Sequence, residues 1–285
     1  MNNTTRASVA VTGVTGVLGG YIANELAAHG VAQRLLARRT AKAPQLPKST
    51  VHPFSYSDQT ATIEALTGVR TLLMVSASES ADRLDQHRSF IDAAAKAGVR
   101  HIVYTSFAGA APDAIFTLAR DHFETEEYIK ASGMAWTMLR DSFYIDFMEA
   151  MVGEDDVIRG PGGEGRVAII SRADIARTAS AVLRDPAAHA GQIYDLTGPE
   201  ALSFAEIAAA IGEVRGREVT YYNESVHEAY VSRASYGAPA WQVDAWVSTY
   251  TTVASNAMAT ISDAVETITG TAPQSLETYL TSTPR

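Results

Sequence analysis

The chain has 285 residues, of which 46% are hydrophobic, a formal net charge of -9 at pH 7 and no cysteine. This length and composition suit one large α/β domain with a smaller lobe. Because cysteine is absent, disulfides, thiolate nucleophiles and cysteine-ligated metals are excluded. The acidic balance disfavours nonspecific binding to nucleic acid or to an anionic membrane. No stretch has the pattern of a signal peptide or a membrane span, so we expect a cytoplasmic protein.

The first predicted strand, Val9–Val11, leads into a glycine-rich turn and then into a predicted helix over Val17–Ala28. Gly13 suits the tight turn, Gly16 lets backbone N–H groups approach a pyrophosphate, and Gly19 lets the helix lie close to the sheet. The anion would lie at the positive end of the helix dipole. Glycines that only close a turn have the same spacing, but the strand-to-helix context favours a dinucleotide site.

Strand-like and helix-like runs alternate through the first half of the chain. The predicted strands are Val9–Val11, Arg34–Ala37, a weaker Val51–Phe54, Leu72–Val75, Ile102–Thr105 and Trp136–Leu139. Between the later strands lie the predicted helices Arg83–Ala97 and Phe116–Lys130. This alternation predicts an α/β fold with a Rossmann-type doubly wound parallel sheet, whose ligand lies at the carboxyl ends of the strands. Those ends carry Gly13, Arg38, Ser76 and Ser106.

The second predicted strand ends in Arg38 and Arg39, where NAD-specific sites usually carry an acidic residue for the ribose 2′-hydroxyl. A carboxylate would repel a 2′-phosphate, whereas a guanidinium binds one through charge-assisted hydrogen bonds. The sequence therefore predicts NADPH (NADP) as cofactor. Arg38 is the preferred phosphate ligand because it directly leaves the strand; the alternative is that both arginines are solvated loop charges.

After Asp141 the strand–helix rhythm changes. The predicted elements are a loop over 153–165, the strand Val167–Ile170, the helix Ala173–Leu183, the strand Gln192–Leu196, and then helices around 204–212, 240–254 and 261–269 with a short strand at 218–222. We expect the first two of these strands to return to the sheet. The sequence thus predicts an NAD(P)-binding domain over 1–198 and a smaller, mainly helical C-terminal substrate lobe over 199–285, to which 141–166 contributes in part.

Five segments together resemble the NmrA-like branch of the atypical short-chain dehydrogenases, in particular its NADPH-dependent quinone reductases and triphenylmethane reductases. They are Val11–Gly19, Gln86–Ser106, Asp121–Glu126, Arg172–Ala176 and Tyr194–Gly198. The first is shared across dinucleotide folds, but the ordered set is specific to this branch and covers nearly the full length. The resemblance implies a cofactor lined by Gly13, Thr15, Val17, Leu18 and Arg38, with Ser76, Ser78 and Ser106 near its ribose and nicotinamide half.

The chain departs from its relatives at two places. Relatives commonly carry an aspartate near the adenine, where this chain has Ser55, so the adenine contact is left open. Most short-chain dehydrogenases use Ser, Tyr and Lys, and the resemblance places Phe107, Leu118 and His122 at those positions. Without these groups the usual alcohol oxidation lacks a positioned acid or base. Hydride addition to a quinone gives a phenolic anion, with a pKa of about 10 like that of tyrosine, so positioning alone can suffice.

His122 and Tyr144 are the catalytic candidates. The family position implies that His122 contacts the nicotinamide ribose or donates a proton, although a lone histidine on a helix is often structural. Phe107, Phe143 and Tyr144 are predicted to face an aromatic substrate; the alternative is that they close the core. The remaining histidines have no metal-ligand spacing, so we expect no metal.

These features predict an NADPH-dependent reductase that transfers a hydride to a quinone or another planar conjugated aromatic acceptor without the Ser-Tyr-Lys set. Its partner would be this small-molecule substrate, with no nucleic acid and no membrane, and the protein would be a monomer or a homodimer. Two alternatives stay open. One is a non-catalytic NAD(P)-sensing regulator of the NmrA type, and the other is a pathway-specific reductase of an aromatic polyketide-like quinone.

Overall fold

The structure is a computed structural model that describes residues 7–282. The strands are β1 (Val9–Val11), β2 (Gln33–Ala37), β3 (Ser49–Pro53), β4 (Thr71–Met74), β5 (His101–Phe107), β6 (Ala135–Asp141), β7 (Val157–Gly160), β8 (Arg166–Val167), β9 (Gln192–Leu196), β10 (Leu202–Ser203) and β11 (Thr220–Asn223). The helices are α1 (Val17–Ala28), α2 (Gln59–Leu66), α3 (Arg83–Lys96), α4 (Thr117–Ala131), α5 (Arg172–Arg184), α6 (Phe204–Arg215), α7 (Val226–Arg233), α8 (Ala240–Ala254), α9 (Ala264–Thr269) and α10 (Leu276–Ser282).

Seven strands form the main sheet, in the order β3-β2-β1-β4-β5-β6-β9. The strand β1 pairs in parallel with β2 on one side and with β4 on the other, and the pairs β2–β3 and β4–β5 are also parallel. The predicted Rossmann-type doubly wound sheet is confirmed. The strand order reverses beside β1, and ligands of such sheets bind in the crevice at the carboxyl ends of the strands there.

Two predicted elements differ from the structure. Only the start of the predicted strand Val167–Ile170 is a strand, and it pairs with β10 in a separate two-stranded sheet instead of returning to the main sheet. Its Val167 and Ile169 side chains are buried in another hydrophobic cluster, which explains why the run is apolar without belonging to that sheet. The predicted loop over 153–165 contains β7, which pairs in parallel with β11.

The chain divides into two compact units. The first contains the residues up to Ser106 together with Asp121–Arg140 and Ile175–Tyr194, and the second contains Phe107–Arg120, Asp141–Asp174 and the residues from Asp195 onward. This division differs from the predicted boundary at residue 198, because the segments that leave β5 and β6 belong to the second unit. Each unit has its own hydrophobic core, built around Phe90 and Tyr104 in the first and around Phe204 and Ile169 in the second.

The packing of α1 generates a stability prediction. A Cβ at Gly19 would lie 2.5 Å from the Gly13 carbonyl carbon and 2.8 Å from the Thr12 carbonyl oxygen, closer than real contacts allow. We expect Gly19→Ala to lower the free energy of unfolding by about 1–3 kcal/mol, measured by denaturant titration, because neither backbone atom can move away cheaply.

The matched control is Gly20→Ala in the same helix. Its Cβ would meet its nearest neighbour, the Val14 carbonyl oxygen, at an ordinary 3.5 Å. Since alanine favours the helical conformation over glycine by up to about 1 kcal/mol, this variant should be as stable as the parent or more stable. Equal losses in the two variants would contradict the packing argument.

Candidate functional site

The turn after β1 has the geometry of an anion cradle. Gly13 has a φ of +67°, which glycine adopts without strain, and its carbonyl accepts a 2.8 Å hydrogen bond from the Gly16 N–H. Gly16 is the N-cap of α1 and provides no side-chain cap, and the first turn of the helix carries no acidic residue. The first N–H groups of α1 therefore have no side-chain acceptor, and the helix dipole favours an anion there.

The predicted lining residues of this turn differ in exposure. Thr15, Gly16 and Val17 are exposed, whereas Leu18 is buried. Leu18 can therefore contact a ligand at this turn only through its backbone. The exposed turn and the first N–H groups of α1, which lack a side-chain cap, fit the pyrophosphate of a dinucleotide.

Arg38 and Arg39 follow β2 directly and are both exposed. Neither guanidinium forms a hydrogen bond or an ion pair with any residue between 7 and 282. A free arginine at the end of the second strand fits a 2′-phosphate, because guanidinium and phosphate form bidentate, charge-assisted hydrogen bonds.

Tyr56 is a residue that the sequence analysis missed. Its hydroxyl donates to the Val75 carbonyl and lies 3.3 Å from Thr12 Oγ1, while Thr12 Oγ1 accepts a 2.8 Å hydrogen bond from the Val75 N–H. Burial raises the pKa of Tyr56 to about 12, against the opposing effects of the Thr12 hydrogen bond and of nearby Arg83 and Arg38. These contacts connect the segment after β3 to the carboxyl ends of β1 and β4. The neighbouring Ser55 instead bonds to Ser57 through their hydroxyls, at 3.0 Å.

The serines after β4 occupy different environments. Ser76 is half-buried, and its N–H donates to Thr105 Oγ1 on β5 at 3.0 Å. Ser78 is exposed. The structure thus places Ser76 at the carboxyl edge of the sheet, as predicted, and attaches its backbone to the adjacent strand.

His122 is buried on α4 with both ring nitrogens engaged. Arg83 Nη2 lies 3.0 Å from Nε2, and the Tyr104 hydroxyl lies 2.9 Å from Nδ1. Because a guanidinium can only donate, Nε2 must accept and the Nδ1–H must donate to Tyr104. Burial, followed by the charge of Arg83, lowers the pKa of His122 well below its ordinary value. The ring is therefore neutral and in one tautomer.

A second neutral histidine, His87, lies in the same unit. Its Nε2 accepts from the Ala77 N–H at 2.9 Å, and its Nδ1 lies 2.8 Å from Thr125 Oγ1. Burial, followed by the charge of Arg83, lowers its pKa to about 3. Arg83 itself is buried and donates its Nε–H to the Ala77 carbonyl. This role of Arg83 and His87 was not predicted from the sequence, although their spacing of four places them on one face of α3.

Ser106 is buried at the end of β5, and its hydroxyl donates to Glu126 Oε1 at 2.5 Å. The fully buried carboxylate of Glu126 also accepts two hydrogen bonds from Arg140, at 2.8 and 2.7 Å. The side chain of Ser106 therefore supports the internal ion pair between Glu126 and Arg140, and this pairing compensates the buried charge.

In the second unit, three phenylalanine rings form an aromatic cluster. The ring centroids of Phe107 and Phe116 are 4.8 Å apart, those of Phe107 and Phe143 are 5.0 Å apart, and those of Phe116 and Phe143 are 5.5 Å apart. Phe107 and Phe143 are half-buried, whereas Phe116 is buried. The structure thus brings two predicted substrate residues together and adds Phe116, which the sequence analysis did not select.

Tyr144 directly follows Phe143 in the sequence. Its hydroxyl donates to Asp141 Oδ2 at 3.1 Å. Burial raises the pKa of Asp141 and of Tyr144 well above their ordinary values, and the Asp141 carboxyl adds to the shift of Tyr144. The Arg172 guanidinium lies 5.7 Å from the centroid of the Tyr144 ring and pairs with Asp146 at 2.9 Å. Sequence reasoning missed Asp141, for which the only signal is its place at the end of β6.

The described part of the chain contains neither a candidate metal site nor a helix that could span a membrane. No three or more histidine, aspartate or glutamate side chains between residues 7 and 282 are grouped so that they could hold a metal ion. No helix in that range has the length and hydropathy needed to cross a membrane.

Comparison with known proteins gives consistent results. Residues 13–186 match the NAD(P)H-binding family. The chain is 37% identical to quinone oxidoreductase 2 of Escherichia coli, over 81% of this chain and 82% of that protein. It is 32% identical to the NAD(P)H azoreductase of Xenophilus azovorans, over 92% and 93%.

Solved structures agree with the sequence matches. The E. coli NADPH-dependent quinone oxidoreductase in complex with NADPH superposes with a TM-score of 0.88 and 32% identity, covering 96% of this chain and 98% of that chain. The Citrobacter sp. triphenylmethane reductase in complex with NADP(H) gives 0.84 and 29%, covering 95% and 98%. The negative transcriptional regulator NmrA in complex with NADP shares the fold, with a TM-score of 0.77 and 16% identity over 97% and 95%.

The family match covers more than half of the chain, and the first of these relatives is more than 30% identical over most of it. The chain belongs to the NAD(P)H-binding family and is an oxidoreductase.

Proposed function

We propose that the protein is an NADPH-dependent reductase that transfers a hydride to a quinone or another planar conjugated aromatic acceptor. The observation that carries this proposal is the aromatic cluster of Phe107, Phe116 and Phe143. Phe107 stands where the family resemblance implies a catalytic serine, and it offers a ring face instead of a hydroxyl. Such a surface favours stacking on a planar acceptor over hydrogen bonding to an alcohol.

The cofactor would be held by the residues at the carboxyl edge of the sheet. The turn from Gly13 to Gly19 would bind the pyrophosphate through backbone N–H groups, and Arg38 would bind the 2′-phosphate. The half of the cofactor that carries these phosphates would also be lined by Thr15, Val17 and the backbone of Leu18. The nicotinamide half would lie nearer Ser76, Ser78 and the backbone of Ser106. When bound, NADPH supplies the hydride.

In this proposal Tyr144 and His122 have different roles. Tyr144 would protonate the reduced acceptor, because its hydroxyl is the polar group next in the chain to the aromatic residue Phe143. His122 would act as a positioning residue, since its Nδ1–H already donates to Tyr104 and its Nε2 already accepts from Arg83. A neutral ring with both nitrogens bonded has no proton to give to a substrate.

The relatives support the same class of acceptor. Their names specify a quinone, an azo compound and a triphenylmethane dye, all of which are extended conjugated systems. An aromatic polyketide-like quinone belongs to the same class and stays the alternative substrate. We place the reaction in the cytoplasm and leave the protein as a monomer or a homodimer, with no nucleic acid and no membrane among its partners.

A dinucleotide sensor without turnover is the second candidate function. It is favoured by the neutral, fully bonded state of His122 and His87, which leaves this network without an acid. The two candidates differ in turnover and not in cofactor binding.

Turnover separates the reductase from the sensor. We expect steady loss of NADPH absorbance with menadione, an azo dye and the cationic dye malachite green, and none without an acceptor. A panel of larger aromatic quinones extends the test to the polyketide-like alternative. Tight NADPH binding without oxidation by any of these acceptors would overturn the reductase and leave the sensor.

The choice of cofactor is tested at Arg38. We expect Arg38→Asp to weaken NADPH binding by about 10- to 100-fold, because a charge-assisted contact worth about 1.5–3 kcal/mol is lost and a repulsive charge is added. NADH binding should be nearly unaffected. Arg39→Asp is the matched control, with the same charge change one residue further from β2, and it should have the smaller effect. An unchanged preference in Arg38→Asp would exclude Arg38 as the phosphate ligand.

The state of His122 is tested by nitrogen NMR. Because burial and Arg83 lower its pKa well below the ordinary value, its ring signals should stay those of the neutral Nδ1–H tautomer from pH 8 down to pH 5. Activity should therefore show no step that follows His122 in this interval. A midpoint near the ordinary histidine value of about 6.5 would disprove the assigned role.

A further inference from the structure

Asp141 is a buried carboxyl group without a compensating charge. Only 1% of its surface is exposed, and its Oδ1 has no hydrogen-bond partner among the described residues. Its Oδ2 accepts only the 3.1 Å hydrogen bond from the Tyr144 hydroxyl. No lysine or arginine between residues 7 and 282 pairs with it.

Glu126 shows how this chain stabilises a buried carboxylate elsewhere. Its oxygens accept two hydrogen bonds from the Arg140 guanidinium and one from the Ser106 hydroxyl. Asp141 has one neutral donor in place of these three bonds. An ionised carboxyl at this place would cost several kcal/mol, whereas proton binding removes the cost. Burial accordingly raises the pKa of Asp141 well above its ordinary value.

The groups around Tyr144 determine which way a proton can move. Asp141 lies at one side of the hydroxyl, and the Arg172 guanidinium lies 5.7 Å from the ring centroid and is paired with Asp146. Burial opposes the Tyr144 phenolate most strongly, the Asp141 and Asp146 carboxyls oppose it as well, and the positive charge of Arg172 favours it. Tyr144 is half-buried whereas Asp141 is fully buried, so the tyrosine is the more accessible of the two.

We propose that Asp141 is kept as a carboxylic acid and is the proton reservoir behind Tyr144, returning the proton that Tyr144 gives to a reduced quinone. This inference rests on the proposed function. It makes Tyr144 the catalytic residue and Asp141 the positioning residue that acts through it.

The proton balance is complete. A quinone that has accepted a hydride is a hydroquinone monoanion, and its oxygen forms a new O–H bond as the Tyr144 O–H bond breaks. The Tyr144 phenolate then takes the proton of the Asp141 carboxyl group. The resulting carboxylate regains a proton through the Tyr144 hydroxyl, which is the more accessible of the two groups and is itself reprotonated from solvent. A cationic triphenylmethane dye becomes neutral when its central carbon accepts a hydride, so its reduction needs no proton.

This difference between acceptors provides the test. We expect Asp141→Asn, which keeps an acceptor for the Tyr144 hydroxyl but cannot lose a proton, to lower kcat with menadione by about 100-fold relative to kcat with malachite green. Tyr144→Phe should lower the same ratio at least as much. Asp155→Asn is the control, because it removes an exposed carboxyl that pairs with Arg159 and forms no hydrogen bond with Tyr144 or Asp141, and it should leave the ratio unchanged.

Two further readouts do not depend on turnover. The infrared carbonyl band of a protonated carboxyl group should be present in the protein at neutral pH and lost in Asp141→Asn. The free energy of unfolding of the parent, relative to Asp141→Asn, should fall as the pH rises above about 4, because the unfolded state then releases a proton that the folded state retains. This loss should continue until the pH passes the raised pKa of folded Asp141.

The outcomes separate the two proposals. Equal losses with menadione and malachite green, or no carboxylic acid band, would overturn the proton relay and leave the reductase intact. A wild-type protein that reduces neither acceptor would overturn the reductase and the relay with it. A lowered ratio together with the band would support both.

Discussion

The close approach of α1 to the end of β1 is the constraint on which the first unit depends. A side chain at Gly19 would overlap the carbonyl groups of Thr12 and Gly13, so only hydrogen permits this packing. The approach occurs beside β1, where the order of the strands reverses. It leaves the uncapped N–H groups of α1 at the edge of the sheet where a dinucleotide binds in this family.

Among the residues that the structure describes, Glu126, the two histidines and Asp141 show three ways of stabilising a buried ionisable group. Glu126 pairs with Arg140 through two hydrogen bonds, and this bidentate pairing offsets the loss of water. His122 and His87 are neutral, because each accepts at Nε2 from a donor. Asp141 has no ion-pair partner among the described residues, and binding a proton stabilises it in its buried position. Of these groups, Asp141 is the one that holds its proton beside Tyr144, which is why the proton relay is assigned to it.

This distribution is consistent with hydride chemistry that differs from alcohol oxidation. Alcohol oxidation requires a base that accepts a proton as the carbonyl forms, and His122 is poorly suited to that task because burial lowers its pKa and its Nε2 already accepts from Arg83. A conjugated acceptor requires a flat surface and at most one proton. The aromatic cluster around Phe143 and the adjacent pair of Tyr144 and Asp141 offer these two features within one unit.

The sequence by itself determined the sheet, the glycine turn, the cofactor class and the family. Hydrophobic period and glycine spacing are local properties, so β1 and α1 were predicted with the bounds that the structure shows. The same reasoning failed for Val167–Ile170, because an apolar run does not specify which core it enters. The interleaved bounds of the two compact units depend on contacts between segments distant in the chain, which no local pattern specifies.

Only the tertiary structure decided which hydrogen-bond partners the polar side chains of the candidate site have, and therefore which of them hold a proton. The sequence shows His122, Ser106 and Tyr144 as polar residues near a predicted edge. In the structure, His122 is hydrogen-bonded to Arg83, Ser106 to Glu126 and Tyr144 to Asp141. The physical reason is that a proton's free energy depends on burial and on neighbouring charges, and both are set by residues far away in sequence.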